Sequence, residues 1–330
     1  MADFKPSKEV LNGDTADVYF ARTIEILKKE GLNPVATMEV FSSRPGILCG
    51  IEEVKTLLST ALSRIKGEVW SLNEGEAMDR REVVLRITAP YQSYGLYETA
   101  ICGILAHCSG WATAARECVE VAGDVPVVSF GARHVHPSVA AIMDYSAIIG
   151  GCKSCSSISG ARLAAIEPSG TIPHALILVM GDTVTATLAF DKHMPPNVPR
   201  ISLVDTFKDE AEESLRVAQA LDNGLDSVRL DTPGERGGVT IDLVSEVRAR
   251  LDLAGFTRVK IFVSGGLNTE RIRQFIEKGI PVDGFGVGSY ISSASPIDFT
   301  ADIHEVEGKP IAKRGRIPGK TFNPRLKRVI

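Results

Sequence analysis

No run of apolar residues in this 330-residue chain approaches the ~20 that a membrane-spanning helix needs. The opening stretch MADFKPSKEV lacks the apolar core and the cleavage-site pattern of a secretion signal, so a cytoplasmic location is expected. An excess of either charge is missing too. The 37 basic and 41 acidic residues leave a formal net charge of −4, which gives no general attraction to nucleic acid or to a membrane surface. There is no internal repeat and no low-complexity block. Cysteine is sparse, six residues with none after Cys155, and scattered thiols of this kind read as small buried hydrophobes. What remains is ordinary for a globular protein: 44% hydrophobic and 24% charged residues. A chain this long buries a large core without staples. Its length suggests two domains, although one α/β barrel absorbs about 250 residues.

Helical spacing runs from Thr15 to Lys29 and from Tyr97 to Ala122, with strand-like alternation over Glu82 to Thr88 between them. From about Val125 the rhythm changes. Short runs rich in Val, Ile and Leu recur: VPVVSF (125–130), SAIIGG (146–151), HALILVM (174–180), ISLVD (201–205), SVRLD (227–231), VKIFVS (259–264) and DGFGVG (283–288). Runs without polar alternation suit strands covered on both faces, as in a parallel sheet. Amphipathic helices are expected between them over Phe207–Leu221, Ile241–Leu251 and Thr269–Lys278, the last capped by Asn268 or Thr269 and stopped by Gly279. Repeated strand–helix units of this length favour a barrel or a doubly wound sheet.

The residues after these runs carry the chemistry: Arg133 and His136, Asp205 and Thr206, Arg229 and Asp231, Ser264 with Gly265 and Gly266, and Gly286, Gly288 and Ser289. In a barrel such positions collect at one mouth, and arginines, carboxylates and two glycine turns together suit a phosphate-bearing anion. VSGGLNTE (263–270) is either a tight strand–helix turn or a place where the backbone approaches phosphate closely. FGVGSY (285–290) repeats the pattern and adds the Ser289 hydroxyl. Asp205 either caps a helix or faces a metal-bound pyrophosphate or a developing cation. Arg229 either pairs structurally with Asp231 or forks onto a carboxylate or phosphate. His174 alone reads as a hydrogen-bonded structural residue. Cys152 and Cys155 form C-x-x-C without further zinc ligands at suitable spacing, and a redox role has little support. His107 and Cys108 read as helix-face residues. The segment from Gly308 to Ile330 carries eight basic residues and no acid; it is either a solvated surface or an arm toward a neighbouring subunit's phosphate site.

In order and spacing, ADVYF (16–20), FGARHVHP (130–137), GGCKSCSS (151–158), SGTIPHALI (169–177), LVDTF (203–207), VRLDTP (228–233), VSGGLN (263–268), FGVGS (285–289) and AKRGR (312–316) resemble the nicotinate phosphoribosyltransferase family, in its short archaeal and bacterial branch. The resemblance covers nearly the whole chain. It implies a type II phosphoribosyltransferase fold: an incomplete α/β barrel of about seven strands over 111–290, with an N-terminal α/β sandwich domain formed by 1–110 and 291–330. It also implies a homodimer or higher homo-oligomer that joins nicotinate to phosphoribosyl pyrophosphate (PRPP), giving nicotinate mononucleotide and pyrophosphate in NAD biosynthesis. Mg²⁺ would accompany PRPP, and ATP hydrolysis would couple through a phosphohistidine.

By the same resemblance, Tyr19 stacks on the pyridine ring, Thr171 contacts nicotinate, and Arg229 meets its carboxylate. Ser289 meets a PRPP phosphate, with Ser264, Gly265, Gly266, Gly286 and Gly288 around it and Arg133 as an anion contact. His174 falls on the phosphorylated histidine of family members that use ATP, which turns its reading from structural to functional. Asp205 and Asp231 are assigned to stabilise the ribosyl cation or order metal-bound water. Two departures stand out. A paired basic motif is here Arg133 and His134, a weaker anion grip. The cysteine-rich zinc knuckle of some archaeal relatives is not expected, since no cysteine follows Cys155. The alternatives are quinolinate phosphoribosyltransferase, with the same fold and donor, and a non-catalytic ligand-binding relative. Quinolinate has two carboxylates and demands a denser cationic pocket, and the GTIPH and VDTF segments favour nicotinate.

Overall fold

A computed structural model describes residues 3–330. The chain divides into two units, one made of residues up to Thr113 together with Ala294–Ile330, the other of Ala114–Ser293. In the first unit the strands are β1 (Val35–Ser42), β2 (Gly46–Ile47), β3 (Glu68–Ser71), β4 (Ala77–Met78) and β5 (Val83–Pro90). Met38 and Val40 of β1 and Leu85 and Ile87 of β5 are fully buried, and they share a core with Val54, Leu57 and Leu58 of the helix Ile51–Ala61. The first expected helix spans Val18–Lys29, beginning after Asp17. The long Ala-rich helix runs over Glu98–Ala122.

The second unit holds a curled, wholly parallel sheet. Its strands are β6 (Val127–Ser129), β7 (Ser154–Cys155), β8 (Ile201–Leu203), β9 (Ser227–Leu230), β10 (Lys260–Val263) and β11 (Gly284–Val287), in spatial order β7-β6-β11-β10-β9-β8. Helices between the strands start at side-chain caps: Asp209 accepts from the amides of Ala211 and Glu212, Thr240 from Leu243, and Asn268 from Arg271.

Six strands form the sheet where about seven were expected, and two of the expected runs are helical. SAIIGG lies largely in the last turns of the helix Pro137–Gly150, which ends at left-handed Gly151. HALILVM forms the helix His174–Met180, with Pro173 as its N-cap and Gly181 in a left-handed C-cap. A short apolar run does not itself distinguish strand from helix. Here Val179 is 86% exposed, so the run is not covered on both faces. Because the segment between β7 and β8 is helical, those two strands remain the edges of an open sheet.

The inner face of this sheet has a defined lateral row, because Leu203, Arg229, Phe262 and Gly284 are register partners across β8, β9, β10 and β11. The rings of Phe130 and Phe262 lie 5.9 Å apart, centre to centre. Glycine makes room for them. A Cβ on Gly284 would stand 2.6 Å from Phe262 Cδ2, and one on Gly286 would stand 2.5 Å from Phe130 Cε2.

The chain returns to the first unit as β12 (Phe299–Val306), β13 (Lys309–Pro310) and β14 (Lys327–Arg328), completing an antiparallel sheet in the order β13-β12-β1-β5-β3-β14. The basic C-terminal segment stays largely exposed, and five of its eight basic residues are ion-paired within the first unit. Lys313 and Arg316 pair with buried Asp302, Lys320 with Glu305, Arg325 with Glu76 and Glu82, and Arg328 with Glu68. Within the sheet, buried Glu39 accepts from Arg86 Nε at 2.7 Å and from the Thr321 amide at 3.1 Å, tying the segment to β1. Among the described residues no single helix is long and apolar enough to cross a membrane.

Candidate active site

The C-terminal ends of the parallel strands enclose a cavity of about 480 Å³. This is where open and closed α/β sheets gather their ligand sites. After β6 come Phe130, Arg133 and His134; after β7, Ser156 and Ser157; after β10, Ser264, Gly265 and Gly266; after β11, Gly288 and Ser289. Thr171 and Pro173 line it from the connection that follows β7, and Arg229, Asp231 and Gly286 also face it. Gly265 and Gly266 adopt φ of +87° and +63°, a conformation that favours glycine and keeps the turn low beneath a ligand.

Arg229 is the best-defined group. Its Nε donates to Ser264 Oγ at 2.8 Å, Nη1 to Thr171 Oγ1 at 2.9 Å, and Nη2 to Asp231 Oδ2 at 2.9 Å. The guanidinium carbon lies 5.0 Å from the centre of the Phe130 ring, a cation–π contact. Burial pulls the guanidinium pKa down, while Asp231 and then Asp205 hold it up. Ser264 Oγ also donates to Asp231 Oδ1 at 2.8 Å, so the Arg229–Asp231 pair is braced from both sides. The two readings of Arg229 are therefore compatible: it pairs with Asp231 and also presents a rigid, desolvated cation to the cavity.

His174 and Asp205 adjoin this pair. His174 Nε2 stands 3.5 Å from Asp205 Oδ2 and 3.8 Å from Asp231 Oδ2, while Nδ1 is 3.0 Å from Thr206 Oγ1. The imidazole is 40% exposed and the Asp205 side chain 1%. Asp205 does not cap the next helix; Asp209 does. Both Asp205 carboxylate oxygens are buried without a hydrogen-bond partner among the described residues. Burial raises its pKa to about 6, opposed by His174, reinforced by Asp231 and lowered again by Arg229. A buried carboxylate lacking donors is expensive, and one facing a cation or a metal-bound ligand has a reason to exist.

Tyr19 belongs to the other unit, on the helix Val18–Lys29, where its ring is exposed and its hydroxyl donates to Asp17 Oδ2 at 2.9 Å. Phe130, Ser156, Ser157 and Pro173 line the cavity although no role was expected of them. Phe130 sits inside the FGARHVHP motif and Ser156 and Ser157 inside GGCKSCSS, after a strand of two residues that carries no periodic signal. All six cysteines are free thiols. Burial, aided by nearby acids, pushes Cys155 up to about 12 and raises Cys152 as well, which disfavours a reactive thiolate at neutral pH. His136 is the N-cap of the helix Pro137–Gly150, with Nδ1 accepting from the Ser138 amide at 3.2 Å.

The site thus consists of an open parallel α/β half-barrel with glycine turns and a braced arginine at its strand ends, the place where such sheets gather their ligand sites. The chain belongs to the quinolinate phosphoribosyltransferase family, a family of phosphoribosyltransferase enzymes: residues 17–109 match the model of its N-terminal domain and 111–302 that of its C-terminal domain. The crystal structure of a nicotinate-nucleotide pyrophosphorylase from Pyrococcus furiosus superposes with a TM-score of 0.88 at 44% identity, covering 97% of this chain and 82% of that one. A nicotinate phosphoribosyltransferase of Mycobacterium tuberculosis is 30% identical over 272 residues, 81% of this chain and 57% of that protein. The human carboxylating nicotinate-nucleotide pyrophosphorylase is 26% identical over 283 residues, 83% of this chain and 84% of that protein. The chain thus spans little more than half the length of the curated nicotinate phosphoribosyltransferase it matches. The family finding corrects the branch implied by the motifs. They point to the nicotinate family, while the matching models are those of its rival with the same fold and donor.

Proposed function

We propose that this chain transfers the phosphoribosyl group of PRPP to the ring nitrogen of a pyridine carboxylate, forming nicotinate mononucleotide. The observation that carries the reading is Arg229, held by Thr171, Ser264 and Asp231 against Phe130 at the mouth of the sheet. Its fork suits a carboxylate. Arg133, Gly265, Gly266, Gly288 and Ser289 supply donors and close backbone approach for phosphates. In the reaction the bond from the anomeric carbon to pyrophosphate breaks as the bond to nitrogen forms, and positive charge grows on the ribose. Asp231, which lines the cavity, and Asp205, buried behind His174, are the carboxylates assigned to stabilise that charge, and fixing the two reactants in line would supply much of the rate.

Mg²⁺ would arrive with PRPP and neutralise the departing pyrophosphate. Among the described residues no three His, Cys, Asp or Glu side chains form a metal cage. The partnerless oxygens of Asp205 fit a metal carried by the donor and met by one or two carboxylates. Tyr19, exposed on its own unit, is assigned to the acceptor ring, and a homodimer belongs to this proposal.

Two acceptors give the same nucleotide. The family models and the carboxylating relatives favour quinolinate, which would lose one carboxylate as CO₂. A specific observation favours nicotinate. The arginines lining the cavity are Arg133 and Arg229, and Arg229 is already paired with Asp231, a thin cationic lining for a dicarboxylate beside phosphates. Labelled CO₂ released from carboxyl-labelled quinolinate, in proportion to nucleotide formed, selects the first acceptor; nucleotide from nicotinate alone selects the second.

ATP coupling through His174 completes the proposal. Its imidazole is partly exposed beside Asp205, and a phosphate on it would bring negative charge against Asp205 and Asp231 and bias the loops around them. His174→Ala is expected to abolish ATP consumption while the protein still folds. Unchanged ATP use per nucleotide formed in that variant would remove the phosphohistidine.

A further inference from the structure

We propose that Ser156 contacts a phosphate of PRPP and that buried Asp144 is the positioning residue that holds it there. This inference rests on the phosphoribosyltransfer reading and adds to it a subsite and its supporting frame.

Asp144, on the helix Pro137–Gly150, is fully buried and faces donors only. Its Oδ1 accepts from Ser129 Oγ at 2.7 Å, and its Oδ2 accepts from the Ser157 hydroxyl at 2.6 Å and the Ser157 amide at 3.1 Å. Ser157 Oγ in turn accepts from the Gly160 amide at 3.1 Å. The Ser156 amide donates to the Ser129 carbonyl at 3.0 Å. The turn after β7 is thereby tied on one side to the end of β6 and on the other to the helix that carries Asp144. Gly160 is part of the same frame, since a Cβ there would stand 2.5 Å from Asp144 Cβ. Cys155 lies against this carboxylate, so one member of the C-x-x-C pair serves as packing beside it.

The donors of Ser157 are consumed by Asp144. Ser156 is exposed and lines the cavity, and its hydroxyl has no partner among the described residues. Strands β7, β6 and β11 are consecutive in the sheet, which sets Ser156 on the side that carries Arg133, His134, Gly288 and Ser289. The His134 ring closes against Gly288, where a Cβ would be 3.2 Å from Nε2. That side offers cationic and neutral donors, whereas Phe130 turns its ring toward Arg229 and Phe262. An oxyanion suits the first side and a pyridine ring the second.

Calorimetric titration of the full chain with PRPP and Mg²⁺, without acceptor, tests this. Ser156→Ala and Asp144→Ala are each expected to weaken PRPP binding by about three- to tenfold, the net worth of one hydrogen bond that water partly replaces. Ser129→Ala, which removes an anchor outside the cavity, is expected to weaken it by about threefold. Asp144→Asn is expected to stay within about twofold of wild type, because its carbonyl can accept both Ser157 donors while its amide donates to Ser129. The KM of the acceptor should move less than twofold in all four. Unchanged PRPP affinity in Ser156→Ala and Ser129→Ala, both with wild-type melting, would overturn the inference, as would a rise confined to the acceptor KM. If Asp144→Ala does not fold, those two variants and Asp144→Asn decide. Wild-type protein that does not bind PRPP at all would instead remove the phosphoribosyltransfer reading, and this subsite with it.

Discussion

Replacing Arg229 by lysine keeps a cation and discards the fork, and the structure sets the size of the effect. Arg229 makes three hydrogen bonds, to Ser264, Thr171 and Asp231, while its face rests on Phe130. An ammonium on a shorter stem can keep the ion pair with Asp231 and some attraction to the ring. It cannot also span Thr171 and Ser264, and it offers a carboxylate one point charge where the guanidinium offers two parallel donors. Hydrogen bonds from a charged group are worth about 1.5–3 kcal/mol each. Part of that loss will be recovered by water and by relaxation of Asp231, leaving roughly 2–4 kcal/mol in the transition state. At about 1.4 kcal/mol per tenfold, Arg229→Lys should lower kcat/KM for the acceptor by roughly 30- to 1000-fold. The assay is initial-rate kinetics with saturating PRPP and Mg²⁺, with thermal melting as the check on folding. A folded Arg229→Lys variant within about threefold of wild type would refute the assignment of Arg229 to the acceptor.

Gly286→Ala would place a methyl 2.5 Å from Phe130 Cε2 and 3.0 Å from Phe262 Cε1. Two rings must then move, at about 1–3 kcal/mol of overpacking; melting temperature and acceptor kcat/KM should both fall, and a variant unchanged in both would show that the stacked rings are not tightly set. In the other unit, Glu53 has a buried Oε2 with no hydrogen-bond partner among the described residues, and burial, followed by Glu74, raises its pKa from 4.5 to about 7. The fold therefore retains a proton that the unfolded chain releases between those values. This group's stabilising contribution is full below about pH 4.5 and is lost as pH rises to 7. Glu53→Gln, fixed in the neutral form, should stabilise by about 1–3 kcal/mol at pH 8 and change little at pH 4.5; equal melting shifts at both pH values would contradict the proton account.

The strands that were legible in the sequence are those whose runs are enclosed by turn chemistry and covered on both faces. VPVVSF, ISLVD, SVRLD, VKIFVS and DGFGVG contain β6, β8, β9, β10 and β11. HALILVM has the same composition and failed as a strand, because Pro173 starts a helix and Gly181 ends it. That outcome depends on where side chains end up, and the exposed Leu178 and Val179 could not be known from the run itself. Strand β7 was invisible, since two residues show no period, and Ser156 and Ser157 received no role although GGCKSCSS contains them. The cavity residues were legible for a different reason. Arg133, Arg229, Asp231, Ser264, Gly265, Gly266, Gly286, Gly288 and Ser289 all lie in or just after a strand run, and parallel topology brings those positions together whatever the details of the strands. The pairing of the basic C-terminal segment with Asp302, Glu305, Glu76, Glu82 and Glu68 was not legible. It is a long-range contact set by antiparallel register rather than by local composition.

The most direct test of the central claim is mass-spectrometric product analysis of the purified chain with PRPP and Mg²⁺, supplied in turn with quinolinate and with nicotinate, with pyrophosphate measured in parallel. Nicotinate mononucleotide is expected from at least one acceptor, with one pyrophosphate released per nucleotide. Pyrophosphate release without nucleotide, or no product from either acceptor, would contradict that claim.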